Sequence, residues 1–227
     1  MLLNILLQAA DAVAVNDVAE NSENLFSIAA KGGVIMIPLL FLCVLAVYIF
    51  VERLMVIRRA TQKDNSFMNR IKDYLNDGKI AEAKELCKAT DSPYARMVEK
   101  GISRLGRPMQ DVQVSIENVG NLEIAKLENN LSILATIAGG GPMIGFLGTT
   151  VGMIQSFYNM ASAGNNVDIS NLAGGIYTAL VTTVAGLIVG VIAFFAYNYL
   201  VSRVDKVVRD MESHSLEFMD ILNAPAD

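Results

Sequence analysis

Three long stretches of the chain are apolar at nearly every position and contain no charged side chain. They cover residues 34–51, 131–167 and 169–202. A membrane-spanning helix needs about 20 predominantly apolar residues, and a helix that is apolar on every side has no polar face to offer to water. The pattern therefore predicts three transmembrane helices, at residues 34–52, 131–160 and 172–201.

The second and third apolar stretches are longer than a bilayer requires. About 30 residues form a helix of roughly 45 Å, and the hydrocarbon slab is about 30 Å thick. These helices must tilt or project beyond the membrane. The expected fold is all-α, an integral membrane protein with three transmembrane helices, two of which extend into a cytoplasmic helical bundle.

The polar insert between the first two stretches is punctuated as a set of short helices. The sequence "NDGK" at 76–79 predicts a turn, and "IAEAKELCKA" at 80–89 consists of good helix formers. Ser92 is placed to cap the next helix with Pro93 at its first position, and "GRP" at 106–108 breaks it. The insert, residues 53–130, is therefore predicted to be a helical domain.

Beyond this break the pattern predicts longer helices. Between Met109 and Gly139 the sequence has no proline and a single glycine, Gly120, which predicts one helix that enters the membrane without a loop. The tail, residues 202–227, continues the third membrane helix. Its expected buried residues are Val204, Val207, Val208, Met211, Leu216 and Met219. The remaining segments are an external N-terminal surface helix at 1–33 and a short external loop at 161–171.

The distribution of basic residues predicts the orientation. Of 18 Lys and Arg residues, 14 lie between Arg53 and Lys126, three follow the third membrane helix, and only Lys31 precedes the first. Basic residues favour the cytoplasmic side. We therefore expect the insert and the C-terminus in the cytoplasm and the N-terminus outside.

Composition and side-chain chemistry exclude several function classes. The chain is 53% hydrophobic with a net charge of −5, and its basic residues alternate with acidic ones, which argues against nucleic-acid binding. The single histidine, His214, lies on a charged tail helix and is expected to be solvated. Cys43 in the first span and Cys87 in the insert cannot form a disulfide or a metal pair. No phosphate-binding loop occurs, and we predict no enzyme activity, catalytic residue, cofactor or metal.

Small and weakly polar residues form one face on each of the last two spans. Their spacings of three and four residues place them on one side of a helix, which lets membrane helices approach closely. In the second span the face consists of Pro142, Gly145, Thr149, Gly152 and Ser156, and in the third of Gly175, Ala179, Thr183, Gly186 and Gly190. The faces could equally be packing seams in which each hydroxyl bonds to its own preceding turn.

The two spans resemble the last two membrane helices of the ExbB/TolQ proteins, relatives of the flagellar stator protein MotA. In "LATIAGGGPMIGFLGTTVGMIQSF" (134–157), Pro142 precedes the threonine of a leucine-glycine-threonine motif, Thr149, by seven residues. Gly148 is the glycine of that motif. In "GGIYTALVTTVAGLIVGVIAFFAYN" (174–198) the matching positions are Gly175, Ile176, Thr183, Gly186, Tyr197 and Asn198.

The resemblance implies a homo-oligomer, typically a pentamer, in the bacterial inner membrane. The second and third spans would line a pore that holds membrane helices of a single-span ExbD- or TolR-like partner with a membrane aspartate. Proton flow would drive motion that a TonB- or TolA-like protein carries to the outer membrane, for transport or envelope maintenance. By this resemblance Thr149 and Thr183 face the pore, with Thr178 and Thr182 beside them on the proton pathway.

One position departs from the family pattern. Family members commonly have a glutamate three residues after the glycine of the third-span motif, where this chain has Thr178. No Asp, Glu, Lys, Arg or His lies within the three charge-free stretches, and a threonine hydroxyl can only donate or accept a hydrogen bond. A titrating group for proton transfer must therefore come from another chain.

Two other functions remain open at this point. The same small faces would serve a passive oligomeric scaffold around a partner helix without ion conduction. A flagellar stator-type subunit is the third alternative.

Overall fold

The computed structural model describes residues 32–61, 66–162 and 169–223, and every regular element in these ranges is an α-helix. The predicted N-terminal surface helix and most of the predicted external loop lie outside the described residues. The helices are α1 Met36–Ala60, α2 Phe67–Asn76, α3 Ile80–Ala89, α4 Pro93–Ile102, α5 Met109–Glu128, α6 Leu131–Ser162 and α7 Ile169–Asn223.

Three stretches of helix are long and apolar enough to cross a membrane. They are Met36–Ala60, Met109–Ser162 and Leu172–Asn223, which confirms the all-α fold with three candidate spans. Helix α1 continues eight residues beyond the predicted end of the first span at residue 52. Helix α7 has 55 residues and is therefore about 80 Å long, so the tail extends the third span without interruption, as predicted.

The helix breakers at the centre of the second span do not interrupt it. Gly139–Gly141 and Pro142 all lie inside α6. In an apolar environment an unpaired backbone group costs several kcal/mol, so a continuous helix is preferred even where residue propensities are poor.

The prediction of one helix from Met109 into the membrane was wrong at two residues. Asn129 leaves the helical conformation with ψ of 141°, and Asn130 has φ of +61°. Asparagine tolerates this left-handed region better than most residues. The guanidinium of Arg53 donates to the carbonyl of Lys126 at 3.1 Å, which satisfies one of the carbonyls that the end of α5 leaves unpaired.

The predicted short helix, helix cap and helix breaks of the insert are confirmed. Helix α3 spans Ile80–Ala89 as predicted, and the Ser92 hydroxyl accepts a hydrogen bond from the Ala95 amide at 3.3 Å. Gly78 and Gly106 have φ of +73° and +86° in the two predicted breaks, a conformation that glycine adopts without steric cost.

The chain divides into two compact units, one of Met1–Leu40 with Pro142–Ile188 and the other of Phe41–Gly141 with Val189–Asp227. The second unit contains the helical domain and its own apolar core. Its most deeply buried side chains include Phe67, Ile71, Val98, Ile102, Ile116, Leu134, Leu200, Met211 and Phe218.

The tail packs into this core through a face that differs in part from the predicted one. Val204, Val207 and Met211 are buried, as predicted, whereas Leu216 is 68% exposed and Phe218 is fully buried in its place. A Cβ atom at Gly101 would lie 2.5 Å from Cε1 of Phe218. The absence of a side chain on α4 therefore makes room for the phenylalanine ring.

Three further side chains, His214, Cys43 and Cys87, can be compared with what the sequence predicted. His214 is half-buried and stacks on Tyr94 with ring centroids 4.5 Å apart and 14° between the planes. The expectation that it is solvated was therefore wrong. Cys43 and Cys87 are both free thiols, as predicted, and burial raises the pKa of Cys87 to about 12.

An ion-pair network stabilises the packing of α4 against α5. The carboxylate of Glu123, whose side chain is only 5% exposed, accepts from Arg96 at 2.7 Å and from Lys126 at 2.6 Å. Burial alone would raise the pKa of Glu123, but the hydrogen bonds from Arg96 and Lys126 outweigh it and hold that pKa below its ordinary value of 4.5.

Replacing Glu123 by glutamine is expected to destabilise the second unit by about 1–2 kcal/mol, because Arg96 loses its buried partner but is partly solvated. A carboxyl with a lowered pKa stabilises the fold above its ordinary pKa and loses this contribution as the pH falls through the lowered value. Thermal unfolding followed by circular dichroism at successively lower pH should show a weaker acid dependence in Glu123→Gln. The matched control is Glu117→Gln, at an exposed glutamate on the same helix. If both changes weaken the acid dependence of unfolding equally, the ion pairs of Glu123 are not its source.

Candidate functional site

In the first unit, α6 and α7 pack against each other through the two faces of small residues. A Cβ atom at Gly145 would lie 2.9 Å from the carbonyl oxygen of Thr182 and 3.1 Å from Cα of Gly186. One at Gly152 would lie 2.8 Å from Cβ of Ala179. Since Cβ atoms almost never approach other atoms this closely, the glycines permit backbone contact between the two helices.

Two further glycines, Gly148 and Gly175, each make room for a hydroxyl-bearing side chain. A Cβ at Gly148 would overlap the side chain of Thr182, and one at Gly175 would overlap the hydroxyl of Ser156. Thr182 is consequently 2% exposed in this chain and Ser156 is 5% exposed. Thr182, which the resemblance placed on the proton pathway, is thus part of the helix–helix seam.

Two threonines meet within this seam. The hydroxyls of Thr149 and Thr183 are hydrogen-bonded to each other across the two helices. Thr149 Oγ1 also lies 3.3 Å from the Ala179 carbonyl oxygen, and Thr183 Oγ1 lies 3.2 Å from that of Gly145. Each hydroxyl therefore has a backbone acceptor on the opposite helix.

This pattern separates the threonine pair from the other hydroxyls of the two spans. Thr182, Ser156 and Thr150 donate to carbonyls of their own preceding turns, at 2.7–2.9 Å, as ordinary membrane threonines and serines do. Thr149 Oγ1 lies near its own-turn acceptor, Gly145, as well as near α7. The packing-seam interpretation accounts for the first three residues but does not account for the cross-helix pair.

The remaining predicted positions are dispersed along the two helices. Thr178 is half-buried on α7, Gly186 is buried, and Pro142 is half-buried inside α6. Near the far end of the third apolar stretch, Tyr197 is half-buried and the Asn198 amide donates to the Phe194 carbonyl at 2.8 Å.

The threonine pair is surrounded by apolar side chains that point away from the seam. Among the more exposed are Phe146 at 67%, Ile154 at 69%, Leu180 at 55% and Val184 at 57%. Such faces suit lipid or other apolar helices. In the described part of the chain no group of three His, Cys, Asp or Glu side chains is placed to hold a metal ion, so the polar chemistry at this depth consists of hydroxyls and backbone carbonyls.

Sequence reasoning found both helix faces but missed two features of the seam. The pairing of Gly148 with Thr182 was not anticipated, although a glycine three residues after Gly145 continues the same small face. The backbone acceptors Gly145 and Ala179 could not be inferred, because the register between two helices separated by a loop leaves no trace in either helix alone.

Comparison with known proteins places this architecture in a family. The profile of the MotA/TolQ/ExbB proton channel family matches residues 89–213, more than half of the chain. The chain is 30% identical to the ExbB-like 1 protein of Synechocystis sp. over 181 residues, which cover 76% of this chain and 68% of that protein.

Two further relatives are an ExbB homologue and a TolQ protein. An ExbB homologue of Methanothermobacter thermautotrophicus is 25% identical over 183 residues, 80% of this chain and 64% of the homologue. The Tol-Pal system protein TolQ of Haemophilus influenzae is 37% identical over 106 residues, 47% of this chain and 46% of TolQ. The matched regions thus span less than two thirds of each of these two relatives.

The profile match includes both spans that form the seam and most of the helical domain with its tail. The three candidate membrane helices agree with it. The chain therefore belongs to the MotA/TolQ/ExbB proton channel family.

Proposed function

We propose that this protein is the pore-forming subunit of a proton-motive-force-driven complex in the bacterial inner membrane. Several copies, five by analogy with the family, would surround membrane helices of an ExbD- or TolR-like single-span partner. A TonB- or TolA-like protein would carry the resulting motion to the outer membrane, for transport or for envelope maintenance.

The observation that carries this proposal is the hydroxyl pair of Thr149 and Thr183. It lies within two helix segments, residues 131–162 and 169–202, that contain no Asp, Glu, Lys, Arg or His. Each of its hydroxyls has a cross-helix backbone acceptor at 3.2–3.3 Å. A ring of such pairs from several copies would offer hydrogen bonds to a guest group at a defined depth of the membrane.

A carboxylate is the guest group that fits this chemistry. A charged side chain at the bilayer centre costs several kcal/mol, and hydroxyls can donate to its charged form and accept from its neutral form. The partner's aspartate would therefore be the titrating group, and the threonine pairs would stabilise both of its protonation states as protons pass. Each proton moved across 100 mV releases about 2.3 kcal/mol.

The orientation completes the proposal. The concentration of basic residues after the first span supports a cytoplasmic insert and C-terminus with the N-terminus outside. In this arrangement the helical domain and the extension of α7 lie on the cytoplasmic side.

A passive scaffold is the second candidate, because close glycine contacts are sufficient to assemble membrane helices. Gly145 and Gly152 would serve both functions equally. In a scaffold the hydroxyl bonds across the seam would serve only to hold the two helices together, so partner-dependent proton flux is the property that separates the two functions.

The test is proton flux in vesicles with an imposed membrane potential. The full chain reconstituted alone should conduct little, because it brings no titratable group into the membrane. Co-reconstitution with a single-span partner carrying a membrane aspartate should raise flux, and the same partner with Asp→Asn should not. Robust flux through this chain alone, or none with any aspartate-bearing partner that co-purifies with it, would overturn the proposal.

A further inference from the structure

A second site lies at the other end of the apolar stretches, where α1 and α7 face each other in the second unit. A groove of about 420 Å³ lies between them and is lined only by apolar side chains and one tyrosine. The small residues Ala46 and Ala196 contribute to its walls, and Phe50 and Phe195 flank them. All of these positions lie inside the charge-free stretches, so the groove lies at the depth of lipid acyl chains.

A smaller cleft of about 240 Å³ shares Tyr199 with the groove. The cleft is also lined by Arg58, Thr61 and Arg203 above the apolar Leu54 and Ile57. Arg203 immediately follows the third charge-free stretch, and Arg58 lies seven residues beyond the first, or about 10 Å along α1. The two arginines therefore lie near the polar boundary of the membrane.

Among the described residues, the positive charges of the cleft have no acidic counterpart. Neither Arg58 nor Arg203 has a carboxylate partner in these ranges, and no described acidic side chain lines the cleft. Arg203 donates to the Tyr199 hydroxyl from Nε at 3.2 Å and from Nη2 at 2.9 Å. Two of its five N–H donors are thus engaged, which leaves three.

We propose that the groove and the cleft together bind an anionic phospholipid. The phosphate would lie between Arg58 and Arg203, and an acyl chain would lie in the apolar groove. Guanidinium groups bind phosphate oxygens with charge-assisted hydrogen bonds. Basic pockets between membrane helices recognise anionic headgroups in this way.

Both halves of the site are needed for this ligand. The cleft alone would suit any phosphate, and the groove alone would suit any acyl chain. The groove and the cleft share Tyr199, whose ring centroid lies 6.2 Å from that of Phe50. The headgroup site therefore lies next to the acyl-chain site, near the boundary between the polar and apolar layers of the membrane. Tyrosine itself favours this interfacial depth.

Native mass spectrometry of the full-length protein in detergent tests the proposal. The probes are phosphatidylglycerol, phosphatidylcholine and inorganic phosphate at equal concentrations. We expect phosphatidylglycerol adducts to exceed phosphatidylcholine adducts, and inorganic phosphate to bind negligibly. Arg58→Gln combined with Arg203→Gln should reduce phosphatidylglycerol binding by roughly ten- to thirtyfold, whereas Arg58→Lys with Arg203→Lys should retain most of it.

Two further variants make the result specific. Arg59→Gln removes an exposed arginine next to the cleft that does not line it, and should leave lipid binding unchanged. Ala196→Phe fills the groove without changing any charge and should reduce the binding of both lipids. Four results would each overturn the proposal. The first two are equal binding of the two lipids and unchanged lipid binding in the double glutamine variant. The others are binding of free phosphate with the same dependence on the arginines, and a groove that a second copy of the chain covers and no lipid enters.

Discussion

Replacing Thr149 and Thr183 together by valine is expected to reduce partner-dependent proton flux by about ten- to a hundredfold while the protein still folds and assembles. Valine has nearly the shape of threonine but no hydroxyl. A hydrogen bond to a charged group contributes about 1.5–3 kcal/mol, which corresponds to this range when one bond to the partner's carboxylate is lost. The measurement is flux in vesicles that contain the wild-type partner.

The single changes should have smaller effects. Thr149→Val leaves Thr183 Oγ1 with the Gly145 carbonyl, and Thr183→Val leaves Thr149 Oγ1 with the Ala179 carbonyl. Replacement of both threonines by serine, which keeps the hydroxyls, should restore much of the flux.

Thr150→Val is the matched control for the pair. It lies next to Thr149, and its hydroxyl bonds only to the Leu147 carbonyl of its own turn at 2.9 Å. It should leave flux unchanged. If the double valine variant conducts like the wild type, the hydroxyl pair has no role in proton transfer and the scaffold interpretation gains support.

Replacing Gly145 by alanine is expected to destabilise the assembled protein by about 1–3 kcal/mol and to lower its unfolding temperature by roughly 3–10 °C. The new methyl group would lie 2.9 Å from the Thr182 carbonyl oxygen and 3.1 Å from the Gly186 Cα. Both atoms belong to the backbone of α7, so the helices must separate to accommodate it. Heating the detergent-solubilised protein and measuring the fraction that stays monodisperse gives the midpoint.

Gly140→Ala provides the control on the same helix. A Cβ atom there meets nothing within 4 Å, and alanine favours a helix over glycine by up to about 1 kcal/mol. The control should therefore be neutral or slightly stabilising. A Gly145→Ala variant as stable as Gly140→Ala would show that the seam does not hold the helices at the described distance.

Features that depend on one helix at a time could be predicted from the sequence. The three charge-free stretches predicted the candidate spans because the length of an apolar run determines whether a helix can cross a bilayer. Ser92, Gly78 and Gly106 predicted a cap and two breaks because their backbone preferences are local. Spacings of three and four residues predicted the two small faces for the same reason.

The helix break at Asn130 shows where local reasoning fails. Asparagine is compatible with both a helix and a left-handed turn, so the adjacent asparagines at 129 and 130 gave only a weak signal. The Arg53 side chain, 73 residues away in sequence from the Lys126 carbonyl that it contacts, supplies a partner at the end of α5. The burial of Phe218 in place of the predicted Leu216 has a similar origin, because the space beside Gly101 accommodates the phenylalanine ring.

What the sequence determined by itself is therefore the set of helices, the absence of Asp, Glu, Lys, Arg and His from the three charge-free stretches, and the two small faces with their threonines. Tertiary structure alone decided that Thr149 bonds to Thr183 while Thr182 is buried against Gly148. Thr182 and Thr183 are adjacent on α7, and Thr149 lies on α6. Only the register of two helices in contact determines which of these hydroxyls finds a partner across the seam and which bonds to its own turn.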